Sequence, residues 1–399
     1  MSFQRTGLAS FLASAKASLK AAVQHQTPVT FVVGNESADL DSLCSTLLYA
    51  YLRTQAAPYN LHIPLSNLQQ EDLTLRPELK PVLSKARLQP SDLITLSDLS
   101  FLANAASESA TIKAAQSSWV LIDHNALTGP LANIYAHRAV GCIDHHDDEG
   151  SVPKNCGDEP RIIQKSGSCA SLVVAHCRKL WDADAAGSEQ PKRWDAELAQ
   201  LALAPILIDT NNLCDKTKVT DVDMQAVEFL EKWAGEGFKR DEYFKEVSEA
   251  KQDIGDLNLV DVLRKDYKMW EENGMKLGVS SVVKNMNFLV EKAGGDEHVT
   301  QALRTFGHDR DLSLFAVMTT SNPDGNFTRE LLVFGFGDEA VKLCKRFEEQ
   351  ASSTLGLKTW KGGRLDTEGG SREWSRCWIQ ERVENSRKQV GPLLRKAMR

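Results

Sequence analysis

The sequence predicts an α/β protein of two domains, in which a doubly wound parallel sheet comes first and a second α/β domain follows. The first half of the chain alternates short apolar runs with helical patterns of apolar residues, which is typical of doubly wound domains. The second half contains two pairs of strand patterns joined by turn residues, with helical patterns around them. The length of 399 residues also exceeds that of one ordinary domain.

The elements of the first domain follow from its apolar runs. Short runs rich in β-branched residues predict strands, and apolar residues at helical spacing predict the helices between them. The predicted strands are 29–33, 61–65, 94–96, 119–122, 140–143 and 161–164, and the predicted helices are 40–54, 168–181, 194–208 and 221–234. The polar stretch 182–192 is predicted as a surface loop, because a helical pattern resumes directly after it.

The second domain is predicted to begin after a glycine-containing linker at 235–240, so we expect domains of residues 1–238 and 239–399. A charged helix comes first, followed by a hairpin with the turn EENG and by two strands that SNPDGNF joins. The predicted helices are 241–253, 285–292, 338–350 and 389–398, the hairpin is 267–283, and the two strands are 312–320 and 328–336.

Composition excludes several classes of protein. No apolar run approaches the roughly 20 residues that a transmembrane helix needs. The eight cysteines form no CxxC pair, which predicts reduced, buried thiols in a reducing compartment rather than structural zinc. The net charge is −7, yet residues 371–399 hold eight Lys or Arg against three Glu. This basic segment is either a solvated helix face or a binding surface for an anionic ligand.

The amino terminus bears on localisation. Residues 1–26 contain no acidic residue and are rich in Ser, Ala and Lys, which is also typical of mitochondrial transit peptides. They contain only one arginine, however, and Leu8, Phe11, Leu12, Ala15 and Leu19 form an amphipathic helical pattern. We therefore expect the first helix of the fold and a cytoplasmic protein, with mitochondrial targeting as the alternative.

Acidic residues follow the first apolar run. In GNESADLDS, Asp39 and Asp41 come after the predicted strand and Gly34, at the start of the first predicted helix of the sheet. Ligands bind open α/β sheets at such strand ends. The alternative is purely structural, because one aspartate would cap the helix and the other would complement its dipole.

Three further acidic motifs also end apolar runs. They are LIDHN with Asp123, CIDHHDDEG with Asp144, His145 and His146, and ILIDTNNL with Asp209. If all four motifs end parallel strands, their carboxylates converge at one edge of the sheet. Two like charges at 4 Å repel by about 4 kcal/mol at an effective dielectric constant of 20, so the cluster requires cations. Carboxylate and imidazole ligands favour Mg²⁺ or Mn²⁺ over zinc in a closed site.

The four motifs together resemble those of the DHH phosphoesterase superfamily, whose name describes the triplet Asp144, His145 and His146. In the second half, NSRKQVGPLL at 385–394 and RKDYKMW at 264–270 resemble the DHHA2 domain, and the glycine-rich GGGH signature of the nuclease branch is missing. DHHA2 proteins include family II inorganic pyrophosphatases, exopolyphosphatases and prune-type phosphodiesterases.

The residue at position 35 helps to distinguish these groups of DHHA2 proteins. Family II pyrophosphatases carry a histidine where this chain has Asn35, and the form AsnxxxAspxAsp is that of fungal-type exopolyphosphatases. Prune-type proteins share the asparagine but depart from the AspHisHis triplet, which is intact here. The resemblance is therefore greatest to a fungal-type exopolyphosphatase.

The resemblance implies an enzyme that removes terminal orthophosphate from linear polyphosphate by attack of a metal-bound water, with two Mg²⁺ or Mn²⁺ ions. The active site would lie in the cleft between the two domains. Two alternatives stay open within the superfamily, an inorganic pyrophosphatase and a prune-like nucleotide phosphodiesterase. A third alternative is a polyphosphate-binding regulatory protein without turnover. A monomer that binds neither nucleic acid nor membrane is expected.

The resemblance also implies roles for individual residues. Asp123 would bridge the two ions, while Asp144 would orient a neighbouring histidine. His146 would contact phosphate or donate a proton. The implied metal ligands are Asp39, Asp41, Asp123, His145 and Asp209; the implied catalytic residues are Asp123, His146 and Arg387; and the implied substrate contacts are Asn35, His146, Lys268, Ser386, Arg387 and Lys388. His124 and Asn125 could instead cap backbone groups, Lys268 could be an ordinary hairpin lysine, and residues 147–149 could be a solvated turn.

Overall fold

The computed structural model describes residues 6–99, 112–185, 193–369 and 372–399. The chain divides into two compact units, Met1–Asp253 and Ile254–Arg399. The division lies further along the chain than the predicted boundary at 238/239, because the helix Arg240–Gln252 belongs to the first unit. Tyr243 and Val247 of this helix are buried in the core of that unit.

The first unit contains a five-stranded sheet of entirely parallel strands. The strands are β1 (Val29–Val33), β2 (His62–Leu65), β3 (Ser117–Ile122), β4 (Ala139–Asp144) and β5 (Arg161–Ile163), in the spatial order β2-β1-β3-β4-β5. All four pairings are parallel. This confirms the predicted parallel sheet. The predicted strand 94–96 is wrong, because Thr95 makes only an isolated bridge to Ser66 and its backbone N–H is capped by Asp98 at the start of a short 3₁₀ turn.

Helices cover both faces of this sheet. They are α1 (Leu8–His25), α2 (Leu40–Thr54), α3 (Leu79–Lys85), α4 (Gly129–Tyr135), α5 (Cys169–Ala185), α6 (Arg193–Asp209), α7 (Asp221–Glu231) and α8 (Arg240–Gln252). The helix predicted at 40–54 has the observed bounds, and the amphipathic first helix is confirmed. Of the predicted loop 182–192, residues 182–185 belong to α5 and residues 186–192 lie outside the described residues.

Strand β1 shows why its sequence is continuously apolar. Val32 packs in the core that contains α2, α5 and α6, whereas Phe31 and Val33 pack in the core on the other face with residues of α1 and α4. Successive side chains of a strand point to opposite faces, so a strand buried on both faces needs an unbroken apolar run. The doubly wound prediction rests on this pattern, and the structure confirms it.

The second unit contains a mixed sheet. Its strands are β6 (Tyr267–Glu272), β7 (Met275–Val282), β8 (Leu314–Ser321), β9 (Thr328–Phe336), β10 (Leu357–Thr359), β11 (Thr367–Gly369) and β12 (Glu373–Gln380), in the order β10-β12-β9-β8-β7-β6 with β11 on β12. The pair β7 and β8 is parallel, and the other pairs are antiparallel. The predicted hairpin and the predicted strand pair are confirmed.

The helices of the second unit are α9 (Leu259–Lys265), α10 (Met286–Ala293), α11 (Asp296–His308), α12 (Asp338–Leu355) and α13 (Arg387–Ala397). The predicted helices 285–292, 338–350 and 389–398 correspond to α10, α12 and α13. The basic carboxyl-terminal segment contains β12, a strand that was not predicted and whose Trp374, Cys377 and Trp378 are buried. This strand is therefore part of the core, and the basic segment as a whole is not a solvated tail.

All eight cysteines lie in the described part of the chain and are free thiols. Six are buried, Cys156 is half-buried and Cys214 is exposed. The predicted reduced state therefore agrees with the structure, and burial holds for all but these two. The described residues contain no helix that is long and apolar enough to span a membrane.

Candidate metal centre

The candidate centre lies at the carboxyl end of the parallel sheet. The chain passes from β1 to β2 on one side and then returns to β3 on the other, so β1 and β3 flank the topological switch point of the sheet. The loops after β1, β3 and β4 carry Asp39, Asp123 and His145. Three of the four acidic motifs thus lie at strand ends, where open α/β sheets bind ligands.

Asp123 is held by one carboxylate oxygen and leaves the other free. It follows β3 directly in a left-handed backbone conformation, with φ of 64°, and is 2% exposed. Its Oδ2 accepts hydrogen bonds from Oγ of Ser42 at 2.7 Å and from Nδ2 of Asn35 at 2.8 Å. Among the described residues, its buried Oδ1 accepts no hydrogen bond of good geometry. A buried carboxylate oxygen without a donor is a natural ligand for a cation.

Two histidines face this free oxygen. Nε2 of His145 lies 3.3 Å from Oδ1 of Asp123, and Nδ1 of His146 lies 3.8 Å from it. Nδ1 of His145 donates to the carbonyl of Ser166 at 3.1 Å, so Nε2 is the nitrogen that could bind a cation. Burial raises the pKa of Asp123, but the two imidazoles outweigh burial and lower the pKa below its ordinary value.

Asp144 orients His146, as predicted. Nδ1 of His146 donates to Oδ1 of Asp144 at 2.8 Å, and Nδ2 of Asn125 donates to Oδ2 at 2.6 Å. Burial raises the pKa of Asp144, but these hydrogen bonds and the charge of His146 lower it to about 2. The ionised carboxylate therefore fixes the imidazole. Asn125 also accepts from the backbone of Glu149 at 2.7 Å, so its role is to hold the loop.

The ligand atoms of Asp123, His145 and His146 all lie within 4.8 Å of one another. Two of these residues were predicted as metal ligands, and His146 was predicted to contact substrate. An unsatisfied carboxylate oxygen beside a correctly oriented imidazole nitrogen fits a divalent cation of the Mg²⁺ or Mn²⁺ class. The side chains present are thus of the kind that binds such a cation.

Asp39 and Asp41 make different contacts. Asp39 is exposed and caps α2, because its side chain accepts from the backbone N–H of Ser42 at 3.0 Å. Asp41 is buried and accepts at Oδ2 from the backbone N–H of Cys169 at 2.6 Å. Its Oδ1 accepts three hydrogen bonds of 2.9 Å, from Oγ of Ser45, Oγ of Ser168 and the backbone N–H of Ala170. Both residues therefore have structural partners, and their metal-ligand roles stay predictions.

Asp209 requires a correction. It was expected to end a parallel strand, but it is the last residue of the helix α6. The apolar run ILI that precedes it is part of a helix, with Ile206 and Leu207 buried, and periodicity cannot separate such a short run from a strand. The turn after it contains three successive left-handed residues, Asn211, Asn212 and Leu213. Nδ2 of Asn212 donates to Oδ1 of Asp241 at 2.7 Å and so ties this turn to the start of α8.

The acidic side chains of the first unit that lie near the candidate centre repel one another. Burial raises the pKa of Asp209 to about 6. The charges of Asp39 and Asp123 also raise this pKa, whereas the charge of Lys251 lowers it. Burial and then the charges of Asp123 and Asp209 raise the pKa of Asp41 well above its ordinary value. Such shifts indicate carboxylates that lack sufficient positive charge nearby. A divalent cation would supply that charge.

Asn35 contacts other groups of the protein through both ends of its amide, and its substrate contact stays a prediction. Its Nδ2 donates to Oδ2 of Asp123 at 2.8 Å and to the backbone carbonyl of Asp123 at 3.2 Å, and its Oδ1 accepts from the backbone N–H of Ala38 at 3.2 Å. A carbonyl can only accept, so these partners fix which end of the amide faces Asp123. Asn35 therefore positions Asp123. Sequence reasoning also missed Ser42, although it lies within the motif GNESADLDS.

The predicted substrate contacts of the second unit lie on β6 and at the start of α13. Lys268 is in β6, and Ser386 is the N-cap of α13, with its Oγ accepting from the backbone N–H of Lys388 at 3.3 Å. Arg387 pairs with the carboxylate of Asp266 at 2.8 Å and donates to its carbonyl at 3.1 Å. Within the described residues, the ammonium groups of Lys268 and Lys388 pair with no carboxylate. Ser386 is thus a cap, and the two lysines remain available to an anion.

Comparison with known proteins assigns the family. Residues 29–206 match the DHH family, N-terminal domain, and residues 245–397 match the DHHA2 domain. A "Putative exopolyphosphatase" of Schizosaccharomyces pombe is 31% identical over 92% of this chain and 90% of its own length. "Exopolyphosphatase PRUNE1" of Rattus norvegicus is 27% identical over 95% of this chain and 77% of its own length.

More distant relatives include pyrophosphatases. A "Manganese-dependent inorganic pyrophosphatase" of Methanothrix thermoacetophila is 25% identical over 73% of this chain and 80% of its own length. The crystal structure of a "putative family II inorganic pyrophosphatase" of Methanococcus jannaschii has a TM-score of 0.59 at 22% identity, covering 92% of this chain and 99% of that one, which shows a shared fold. With its DHH motifs, its DHHA2 domain and these relatives, the chain belongs to the DHH family of phosphoesterases.

Proposed function

We propose that this phosphoesterase is an exopolyphosphatase that removes terminal orthophosphate from linear inorganic polyphosphate with two Mg²⁺ or Mn²⁺ ions as cofactors. The observation that carries the proposal is the group formed by Asp123, His145 and His146, in which Oδ1 of Asp123 accepts no hydrogen bond from the described residues. The two histidines belong to the intact triplet of Asp144, His145 and His146. Relatives named as exopolyphosphatases and a relative named as manganese-dependent support it.

The proposed ligands are oxygen and nitrogen atoms of the first unit. Asp123 and His145 would hold the ions, with Asp39, Asp41 and Asp209 as further ligands. When bound, the ions supply positive charge to the phosphate and make water more acidic. Asn35 and Ser42 hold Asp123 in place, so its free oxygen needs no rearrangement before it binds a cation.

His146 is the proposed acid or phosphate contact. Its Nδ1 is held by the ionised Asp144, which leaves Nε2 free to meet a phosphate oxygen. With its Nδ1–H donated to Asp144, donation from Nε2 would require the doubly protonated imidazole. The side chain is 34% exposed, so it is accessible from solvent. These properties suit donation of a hydrogen bond or a proton to the departing phosphate.

The second domain would supply cations to the substrate. A transferring phosphoryl group carries charge on its equatorial oxygens, and enzymes stabilise this charge with Arg and Lys side chains. We propose that Arg387 acts through its planar guanidinium and that Lys268 and Lys388 act as point charges, with Ser386 capping the helix that carries two of them.

Substrate preference is the direct test. The wild-type protein is expected to release orthophosphate from long-chain polyphosphate faster than it hydrolyses pyrophosphate or a cyclic nucleotide, with each measured at saturating Mg²⁺ and again at saturating Mn²⁺. A parallel preparation of Asp123→Asn controls for contaminating phosphatases. Preference for pyrophosphate or the nucleotide would replace the proposal with the corresponding activity. No release from any substrate would favour a polyphosphate-binding regulatory protein.

Position 35 gives a second test. Asn35→His is expected to tighten binding of the first cation and to shift preference toward Mn²⁺ and pyrophosphate, because an imidazole nitrogen replaces an amide that now bonds to Asp123. Asn35→Ala is the matched control, since it removes the amide without adding a ligand. Titration with Mn²⁺ and the ratio of the two hydrolysis rates measure the effect. Unchanged values in Asn35→His would show that position 35 lies away from the first cation.

We also propose a cytoplasmic monomer whose partner is polyphosphate and which binds neither nucleic acid nor membrane. The net charge of −7 disfavours nucleic acid and anionic lipid surfaces as partners, while the cations proposed for polyphosphate are the local group of Lys268, Arg387 and Lys388. Size-exclusion chromatography with light scattering tests the monomer, and localisation of a carboxyl-terminal fusion tests the compartment.

A further inference from the structure

Arg76 is a buried cation whose hydrogen bonds go to backbone carbonyls. It is 7% exposed and follows the 3₁₀ helix Gln70–Leu75. Its Nε donates to the carbonyl of Ala38 at 2.9 Å, one Nη donates to the carbonyl of Ser37, and the other donates to the carbonyl of Leu75 at 3.3 Å. No carboxylate among the described residues pairs with its guanidinium. A buried charge is costly unless hydrogen-bonding groups such as these carbonyls surround it. The burial of Arg76 therefore points to a role beyond packing.

The carbonyls belong to the loop between β1 and α2. Ala38 has a left-handed backbone with φ of 44°, a conformation that is strained for a residue with a side chain. Nδ2 of Asn67 donates to the carbonyl of Gly34 at 3.0 Å, at the other end of the loop. The segment 67–76 thus provides side-chain donors for three carbonyls of this loop. These contacts keep the strained backbone in place.

The loop carries two residues of the proposed metal centre. Asn35 lies on one side of Ser37 and donates to Asp123 at 2.8 Å, and Asp39 directly follows Ala38 and begins α2. A change at Ser37 or Ala38 would therefore move both groups. An arginine suits this task because its planar fork reaches two successive carbonyls at once, whereas the ammonium of a lysine is a point donor on a flexible stem.

We propose that Arg76 is a positioning residue for the metal centre. It fixes the peptides of Ser37 and Ala38, and through them the places of Asn35 against Asp123 and of Asp39 at the start of α2. The proposal rests on the metal site of the proposed function. It adds a residue that touches neither cation nor phosphate and that lies in none of the four acidic motifs.

The test is direct titration of each variant with Mn²⁺ by calorimetry, well below its melting temperature and without substrate. Arg76→Lys is expected to weaken Mn²⁺ binding about 10- to 100-fold, the usual range for groups that support metal ligands. Its kcat at saturating Mn²⁺ should fall while KM for polyphosphate changes little. Asn67→Ala, which removes only the bond to Gly34, is expected to weaken Mn²⁺ binding by a smaller factor in the same direction.

Arg53→Lys is the matched control. Arg53 is also 7% exposed and donates to the carbonyl of Ala57 at 3.1 Å, but it pairs with Glu159 at 3.2 Å. It lies near the opposite end of α2 from Asp39, about 20 Å away at 1.5 Å per residue. Mn²⁺ affinity in Arg53→Lys is expected to equal that of the wild type, even where its melting temperature falls as much as that of Arg76→Lys.

The outcomes separate this inference from the function on which it rests. Wild-type Mn²⁺ affinity in Arg76→Lys, together with lost affinity in Asp123→Asn, would overturn the role of Arg76 and leave the metal site standing. Wild-type affinity in Asp123→Asn would instead overturn the metal site itself. If Arg76→Lys does not fold, Asn67→Ala decides, and unchanged affinity in that variant would count against a loop held by the segment 67–76.

Discussion

Replacing Asp123 by asparagine is expected to lower kcat on polyphosphate roughly 10³-fold, equivalent to about 4 kcal/mol, and to cost more than any other single carboxylate change. Asn35 and Ser42 both donate to Oδ2, so they would bind the amide oxygen of the new side chain and turn its NH₂ toward His145. The variant would thus place a donor where the wild type offers a ligand. Activity assays and Mn²⁺ titration measure both consequences.

Asp147→Asn is the control for Asp123→Asn. Asp147 lies in the acidic turn after the AspHisHis triplet, and its side chain is 93% exposed and pairs with Lys165. An exposed ion pair contributes little to stability, so this variant should keep wild-type kcat and metal affinity. Near-normal activity and Mn²⁺ binding in Asp123→Asn would contradict the dinuclear centre.

Replacing Arg387 by alanine is expected to lower kcat by about 10² to 10³, or roughly 2.7 to 4 kcal/mol of transition-state stabilisation. The guanidinium would otherwise neutralise charge that develops on the phosphate. Arg387→Lys keeps the charge but loses the planar fork, and should recover only part of the rate. Mn²⁺ affinity should stay normal in both variants, because every proposed metal ligand lies in the first domain.

Asp266, which forms an ion pair with Arg387, provides the control variant for Arg387→Ala. Asp266→Asn keeps the guanidinium and the carbonyl that it contacts but removes the carboxylate, which isolates the structural part of the interaction. Because Asp266 is 42% exposed, the pair should contribute no more than about 1 kcal/mol to stability. Equal losses of kcat in Asp266→Asn and Arg387→Ala would show that Arg387 acts by holding α13, and normal turnover in Arg387→Ala would remove it from the site.

The parts of the fold that the sequence predicts well are those where one physical rule dominates. The run 31–33 is buried on both faces, and α2 begins at a capping aspartate, so both elements were placed correctly. Prediction from the sequence fails where two patterns in one segment favour different structures. The strand β12 was missed because the basic residues of the segment 371–399 made it resemble a solvated helix face, although the tryptophans of β12 are buried.

The candidate site also contains residues that the sequence predicts and residues that it does not. Asp123, His145 and His146 could be predicted because a short motif fixes them at a strand end. Asn35 was found as a motif residue, but its contact with Asp123 depends on a second loop that folds back beside it. Arg76 could not be predicted, because its target carbonyls lie in a different loop and carry no side-chain pattern. Asp209 was placed on the wrong element because a short apolar run fits a helix and a strand equally well.

The exposed thiol of Cys214 offers a site for a chemical probe. Burial raises the pKa of the six buried cysteines and of half-buried Cys156, so all seven should react slowly with maleimides. A fluorescent or fluorine-bearing maleimide should therefore attach selectively to Cys214, in the turn that begins after Asp209. If Asp209 binds a cation as proposed, such a conjugate should report that binding in real time, without any substrate.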